Sequence, residues 1–149
     1  MKLRFGVLGD RKALEALQLR ASLVWDEYRE ALLAHPEVIE LPDAQLHDGF
    51  VRVAELDDRP VGFSVLLPTE AERVYELDGL FVEPDLQRAG VGRALVEDLD
   101  LFTPADAVIE VTANPRAEEF YRKLGFVTIG SAETQFGPAL RMRRDRVRR

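Results

Sequence analysis

The sequence predicts a single domain of the α/β (α+β) class, in which helices cover both faces of a mixed β-sheet. Three observations lead to this prediction. The chain has 149 residues, the usual size of one domain, and 46% of them are apolar, which is enough for one core. Apolar residues recur at helical spacing before residue 50 and at strand spacing after it. The second half of the chain then alternates strands with helices.

The chain is predicted to be helical from about residue 10 as far as a proline. Asp10 can cap a helix whose apolar residues keep helical spacing through Ala21. The pattern continues to Leu32, and Ser22 allows it to restart as a second helix. Pro36 ends this region, because the residue before a proline leaves the helical conformation. A polar loop is expected from there to residue 49.

The rest of the chain is predicted to form strands and two more helices. A hairpin comes first, with strands at 50–56 and 61–67 and a turn at 57–60. The elements expected after it are a strand at 74–82, a loop and helix at 84–102, a strand at 107–112, a helix at 114–124, and closing strands at 126–130 and 139–142.

Composition excludes several classes of site. The chain has no cysteine, which excludes disulfides, thiolate metal sites and a cysteine nucleophile, and no ligand spacing suggests a metal. No segment resembles a signal peptide or a membrane span, so a cytoplasmic protein is expected. Residues 141–149 form a basic tail with a net charge of +5, whereas the other 140 residues carry −12. The acidic body repels nucleic acid, and the tail is most simply a solvated terminus.

A glycine-containing loop lies between a predicted strand and a predicted helix. It consists of Gln87, Arg88, Ala89, Gly90, Val91 and Gly92, and Arg93 follows it. The first amides of a helix have no partner within the helix, and the helix dipole adds positive potential there. Such a place can bind a phosphate or pyrophosphate, although an ordinary tight turn would have the same sequence.

A second segment has the features of a well-defined short helix. Asn114 is a capping residue and Pro115 suits the first helical position. Tyr121 lies on the apolar face, and Gly125 suits the left-handed turn at the end. The tyrosine could therefore be no more than a core aromatic.

The two segments together resemble the GNAT superfamily of acetyltransferases. The resemblance covers about residues 51–126 and implies a mostly antiparallel sheet of six or seven strands and the use of acetyl-CoA. In that family the loop at 87–92 holds the CoA pyrophosphate, and the preceding strand pairs with the pantetheine arm. By position, the main chain of Leu80, Phe81 and Val82 would face pantetheine and the acetyl group. Asn114 would contact the cofactor arm, and Tyr121 would lie near the sulfur.

Attack of an amine on a thioester suggests roles for particular residues. The N–H of Val82 can stabilise the carbonyl oxygen, and Tyr121 can act as general acid toward the sulfur. Glu76 and Asp78 share one face of their strand, and Glu76 is the preferred base because family members place a glutamate there. Partial burial would raise the pKa of such a glutamate. Glu76 could instead be a salt-bridged carboxylate, or it could bind a cationic amine.

The sequence does not identify the acceptor. Trp25 and Tyr28 lie where the family builds its acceptor wall, and the acidic body favours a small cationic amine. An amino acid and a polyamine belong to the same class of small acceptors. A protein lysine or N-terminus, and a non-catalytic acyl-CoA sensor on the same fold, are the alternatives. The resemblance also allows a homodimer, because members of the family often pair through sheet edges or C-terminal strands.

Overall fold

The computed structural model describes residues 1–145. Seven strands lie within this part of the chain: β1 (Lys2–Phe5), β2 (Val51–Leu56), β3 (Arg59–Pro68), β4 (Val74–Val82), β5 (Val108–Ala113), β6 (Val127–Thr134) and β7 (Gly137–Asp145). The α-helices there are α1 (Arg11–Leu23), α2 (Asp26–Ala34), α3 (Asp43–His47), α4 (Val91–Asp98) and α5 (Glu118–Lys123). Short 3₁₀ turns lie at Leu8–Asp10, Pro36–Val38, Pro84–Leu86, Leu99–Leu101 and Pro115–Ala117.

The strands form one sheet in the order β1-β2-β3-β4-β5-β7-β6. The pairs β1–β2, β2–β3, β5–β7 and β6–β7 are antiparallel, and β4–β5 is parallel. This confirms the predicted mixed, mostly antiparallel sheet. Packing divides the chain into two compact units: unit 1 comprises Met1–Val65 and Gly79–Leu95, and unit 2 comprises Leu66–Asp78 and the chain from Val96 onward. The single-domain organisation stays a prediction.

Unit 1 has an apolar core against the hairpin of β2 and β3. Leu14 and Leu17 of α1 are fully buried, as the helical spacing predicts. A cluster of buried side chains joins the hairpin to the start of α4, and its members are Ala54, Val61, Val91 and Leu95. Asp57 and Asp58 at the hairpin tip both have positive φ, as tight two-residue hairpin turns require. The hairpin therefore extends further toward its turn than the sequence predicts.

Unit 2 has one apolar and one polar sheet face, because side chains alternate along strands. The apolar face buries Ile109, Val111 and Met142, and Phe126 is also buried. The polar face is defined by the strand register, which aligns Glu76 with Glu110, Glu110 with Arg143, and Thr112 with Arg141. We call this set, with Asp78 on the same side of β4, the polar face of unit 2. Its residues are Glu76, Asp78, Glu110, Thr112, Arg141 and Arg143.

Several predicted features of the fold are wrong. Strand β1 and helix α3 lie where the sequence predicts no regular structure. Asp10 occupies the cap position of α1, but its carboxylate accepts the Val7 N–H (2.8 Å) and binds Arg4 instead of capping the helix. The helix predicted to run to residue 102 ends earlier, because α4 stops at Asp98 and Phe102 is 44% exposed.

The basic tail is also corrected. Residues 141–145 continue strand β7, so the first part of that segment is not a solvated terminus. Arg144 is buried, and it donates to Asp100 and lies over the ring of Phe126. Residues 146–149 of the predicted tail lie outside the described residues.

Candidate active site

The glycine loop of unit 1 is an exposed turn that leads into α4. It follows the 3₁₀ turn Pro84–Leu86, and its residues 87–90 are exposed. Gly90 has a φ of +84°, a conformation that glycine adopts without strain. Within the start of α4, the Ala94 N–H donates to the Gly90 carbonyl (3.0 Å). The amides of residues 91 and 92 therefore come before that first bond, in the first turn of the helix, where N–H groups have no intrahelical acceptor.

The start of α4 is held closely against the hairpin. A Cβ built on Gly62 of β3 would lie 2.8 Å from Val91 Cγ1 and 3.0 Å from the Phe81 carbonyl oxygen. Only a glycine lets the strand approach so closely. Val91 and Leu95 are buried in the same place, so the position of the loop relative to β3 is fixed by packing.

An ion pair fixes the segment that leads from β4 into this loop. Arg20 of α1 donates to both carboxylate oxygens of Glu83, at 2.7 and 2.8 Å. The Glu83 N–H also donates to the Val61 carbonyl at 2.8 Å. The hydrogen bonds from Arg20 lower the pKa of Glu83, so this carboxylate stays charged. Sequence reasoning missed this pair, because the two residues are far apart in the chain.

The chemistry of this turn fits a diphosphate group. A Cβ on Gly90 would meet nothing within 4 Å, so the turn faces open space. Arg88 and Arg93 are exposed at its edge. Main-chain donors, the positive end of the α4 dipole and two guanidinium groups together suit a doubly charged anion. Acetyl-CoA carries such a group in its pyrophosphate.

Strand β4 continues past its pairing with β5. The parallel pairs run from Val74 with Val108 to Leu77 with Val111, whereas β4 itself continues to Val82. Leu80 and Val82 pack against the core cluster of unit 1. The ring of Phe81 lies 5.2 Å from that of Phe63. The side chains of these three residues are therefore engaged in packing.

Glu76 is held by an arginine that sequence reasoning did not assign to the site. Arg141 of β7 donates to both oxygens of Glu76, at 2.8 and 3.1 Å. It also donates to Glu110 (2.9 Å) and Thr112 (2.7 Å) of β5. This is the salt-bridged alternative for Glu76, and it leaves both oxygens engaged. The alternation of Leu140, Arg141 and Met142 was the available signal, since it places the arginine on the polar face.

Asp78 differs from Glu76 although it lies on the same face of β4. No described residue donates a hydrogen bond to its carboxylate. The residue as a whole is exposed to solvent, but neighbouring protein atoms partly desolvate its carboxyl group. This partial desolvation, with the negative charge of Glu76 as the second cause, raises the pKa of Asp78.

The second sequence segment forms the expected cap and helix. The Asn114 side chain accepts the Arg116 N–H at 2.8 Å, which confirms the cap, and Gly125 has a φ of +96°. Tyr121 of α5 is buried, and its ring packs edge-on against Phe120 and Phe126 at 5.0 and 5.2 Å. Burial strongly raises the pKa of the Tyr121 phenol, so the hydroxyl keeps its proton.

The remaining predicted residues belong to unit 1. Trp25 precedes α2 as its cap residue, and Tyr28 lies in the first turn of that helix; both are partly exposed. Among residues 1–145, no group of three or more His, Asp or Glu side chains is arranged to hold a metal ion. In the same part of the chain, no helix is both long and apolar enough to cross a membrane.

Comparison with known proteins gives a match to a family model. The model described as "Acetyltransferase (GNAT) domain" matches residues 47–128, which include the glycine loop and the Asn114 segment. Peptidyl-lysine N-acetyltransferase YjaB of Escherichia coli is 38% identical over 93 residues, which cover 62% of this chain and 56% of that protein. The chain thus spans little more than half the length of this curated relative.

Solved structures show the same fold over almost the whole chain. The solution structure of apo-form YjaB from E. coli has a TM-score of 0.68 at 27% identity and covers 98% of this chain and 97% of that one. The PaiA N-acetyltransferase of Thermoplasma acidophilum, crystallised with coenzyme A, has a TM-score of 0.74 at 15% identity. That match covers 97% of this chain and 98% of the PaiA chain.

Proposed function

Because the chain belongs to the GNAT acetyltransferase family, we propose that it transfers the acetyl group of acetyl-CoA to a primary amine. The observation that carries this proposal is the open, glycine-containing turn at the start of α4. Its amides, its dipole and its two arginines form an anion site that an enzyme without a phosphorylated co-substrate would not need. A PaiA protein of the same fold was crystallised with coenzyme A, which is consistent with this assignment.

The proposal gives a binding role to three segments of the chain. Residues 87–92 and Arg93 hold the pyrophosphate. The main chain of Leu80, Phe81 and Val82 pairs with the amides of the pantetheine arm, because the side chains of these residues are engaged in the core. Asn114 contacts the arm. No metal takes part, since an amine and a thioester react without one.

The chemical roles follow from the charges that change during the reaction. The Val82 N–H donates to the thioester carbonyl oxygen, on which negative charge develops. The Tyr121 hydroxyl donates a hydrogen bond to the departing sulfur. Its raised pKa keeps the phenol protonated but disfavours complete proton transfer. We therefore assign Tyr121 a hydrogen-bonding role first, with proton delivery as the last step of thiolate release.

Two classes of acceptor have support. A small cationic amine fits the acidic charge of the chain outside residues 141–149. A peptide lysine is favoured by the two YjaB relatives, which are named peptidyl-lysine N-acetyltransferases and are 38% and 34% identical to this chain over 93 residues. Both acceptors present a primary ammonium group on a flexible chain. We therefore propose an alkyl primary amine, with the peptide lysine as the form to test first.

Cofactor binding is the first experiment. Isothermal titration of the full chain with acetyl-CoA is expected to show saturable binding. S-acetyl-pantetheine, which lacks the diphosphate, should bind far more weakly if the loop acts as proposed. Arg88→Ala should weaken acetyl-CoA binding several-fold, and Arg122→Ala is the matched control, because Arg122 is an exposed arginine on α5. Equal affinity for the two acyl donors would contradict the assignment of the loop.

Turnover is the second experiment, and it separates an enzyme from a sensor. Thiol release from acetyl-CoA is followed with a capped lysine peptide, free lysine and spermidine as acceptors. Turnover with the peptide alone supports the peptidyl-lysine activity, and turnover with spermidine or lysine supports the small-amine activity. Saturable acetyl-CoA binding with no thiol release from any acceptor would instead indicate a non-catalytic acyl-CoA sensor.

A further inference from the structure

The polar face of unit 2 contains two β4 carboxylates in different chemical states. Both oxygens of Glu76 accept hydrogen bonds from Arg141. Asp78 lies two residues further along the same face and accepts none from any described residue. A carboxylate that binds an arginine through both oxygens is held in place and its charge is compensated, whereas one without a cation is available to bind and deprotonate a cationic substrate. On this ground Asp78 is better suited to proton transfer than Glu76.

We propose that Asp78 is the catalytic base that takes a proton from the acceptor ammonium, and that Arg141 holds Glu76 beside it as a fixed negative charge. This inference rests on the proposed acetyltransferase function. It replaces the assignment of Glu76 as base, which follows from family position alone. Glu76 and Arg141 then become positioning residues that act through Asp78.

The surroundings of Asp78 in unit 2 support the assignment of Asp78 as base and of Glu76 and Arg141 as positioning residues. The charged groups on this face are Glu76 of β4, Glu110 of β5, and Arg141 and Arg143 of β7. Arg141 is used by both glutamates, and Arg143 donates to Asp145 at 3.0 Å. Both guanidinium groups are thus paired with other carboxylates. The negative charge of Glu76 therefore acts on Asp78, and neither arginine forms an ion pair with Asp78.

This arrangement suits a carboxylate that binds and deprotonates an ammonium group. Crowding and the charge of Glu76 raise the pKa of Asp78, which makes it a stronger base than an ordinary aspartate. The same negative charge attracts a cationic amine. The ammonium loses one proton to Asp78, and the nitrogen lone pair forms the C–N bond. The C–S bond of the thioester breaks, the second proton leaves with sulfur as the thiol, and the proton on Asp78 passes to solvent.

The test compares Asp78→Asn, Glu76→Gln and a matched control. Glu133→Gln is that control, because Glu133 is an exposed carboxylate on β6 of the same unit. We expect Asp78→Asn to lower kcat/KM by about 100-fold or more and to abolish the acid limb of its pH profile. Glu76→Gln should lower kcat much less than Asp78→Asn does, and its acid limb should move to lower pH, since the charge that raises the Asp78 pKa is gone. Glu133→Gln should match the wild type in both respects.

A second measurement makes the inference independent of turnover. The carboxyl carbon of Asp78 can be titrated by ¹³C NMR in the wild type and in the two glutamate variants. The pKa should lie above that of an ordinary aspartate, fall in Glu76→Gln and stay unchanged in Glu133→Gln. An Asp78 pKa that equals that of an ordinary aspartate and does not change in Glu76→Gln would overturn the proposed electrostatics, even if the enzyme is active.

The outcomes separate this inference from the proposed function. If the wild type turns over and Asp78→Asn keeps kcat/KM within about threefold, Asp78 is not the base, although the acetyltransferase function stands. A loss confined to Glu76→Gln would restore the family assignment. If the wild type binds no acetyl-CoA, the proposed function itself fails, and the catalytic role of Asp78 fails with it.

Discussion

Replacing Arg141 by methionine tests whether the polar face of unit 2 is organised around that guanidinium. Methionine keeps a long apolar stem, so packing along the side chain is largely preserved. The change removes four hydrogen bonds: two to Glu76, one to Glu110 and one to Thr112. It also leaves two neighbouring carboxylates without their shared cation.

The expected cost lies between that of a surface pair and that of a buried one. Arg141, Glu76 and Glu110 are 26%, 27% and 23% exposed at their side chains. Exposed pairs contribute about 0–1 kcal/mol, whereas breaking a buried pair costs about 3–5 kcal/mol. For a network three-quarters buried we expect a loss of about 2 kcal/mol in the free energy of unfolding. In a chain of this length that lowers the melting temperature by about 4–8 °C.

The same strand supplies the matched control. Arg143 lies two residues along β7 and pairs with Asp145, but its side chain is 43% exposed and that of Asp145 is 72% exposed. Arg143→Met should therefore change the melting temperature by no more than about 2 °C. Thermal unfolding followed by circular dichroism measures both variants. Equal shifts would refute the claim that Arg141 has a special structural role.

A double variant tests the mechanism of the loss. Much of the cost comes from leaving carboxylates without a cation, and less from the hydrogen bonds themselves. Adding Glu76→Gln to Arg141→Met removes one of the uncompensated charges, so the double variant should be more stable than Arg141→Met alone. A double variant that loses the sum of both single effects would show that the three residues do not act as one network.

Further predictions concern the loop, the proposed acid and the N-terminal ion pair. Gly90→Ala puts a Cβ on a residue with a φ of +84°, so we expect a cost of about 1–2 kcal/mol and weaker acetyl-CoA binding by titration. Gly130→Ala, at a glycine without positive φ and with nothing within 4 Å, should change neither. Tyr121→Phe keeps the ring packing, so it should retain its melting temperature while thiol release falls at least about tenfold; an unchanged rate would remove the acid role. Arg4 lowers the pKa of Asp10, so Asp10 contributes stability above its unfolded pKa that is lost as the pH falls through the folded value. Asp10→Asn should remove that part of the acid sensitivity in urea unfolding.

The sequence predicts the long elements because each has a local cause. The sequence predicts β4 at residues 74–82, which are its bounds in the structure, since apolar residues run through it and turns flank it. Asn114 caps its turn and Gly125 ends α5, because both features depend only on neighbouring residues. Strand β1 cannot be predicted from local sequence in this way. It has four residues and alternates two charged with two apolar side chains, so only its pairing with β2 makes it a strand.

The same difference between local and long-range causes decides which parts of the candidate site the sequence can predict. The glycine loop could be predicted because amide donors and a positive φ are local properties of a short segment. The different states of Glu76 and Asp78 could not be predicted, since both carboxylates lie on the same face of one strand and nothing in the neighbouring sequence distinguishes them. They are distinguished by Arg141, which lies 65 residues from Glu76 in the chain and reaches it only through the strand order β4-β5-β7. The spacing of a motif can therefore nominate the carboxylates of such a site, but the choice of base depends on which one a distant cation neutralises.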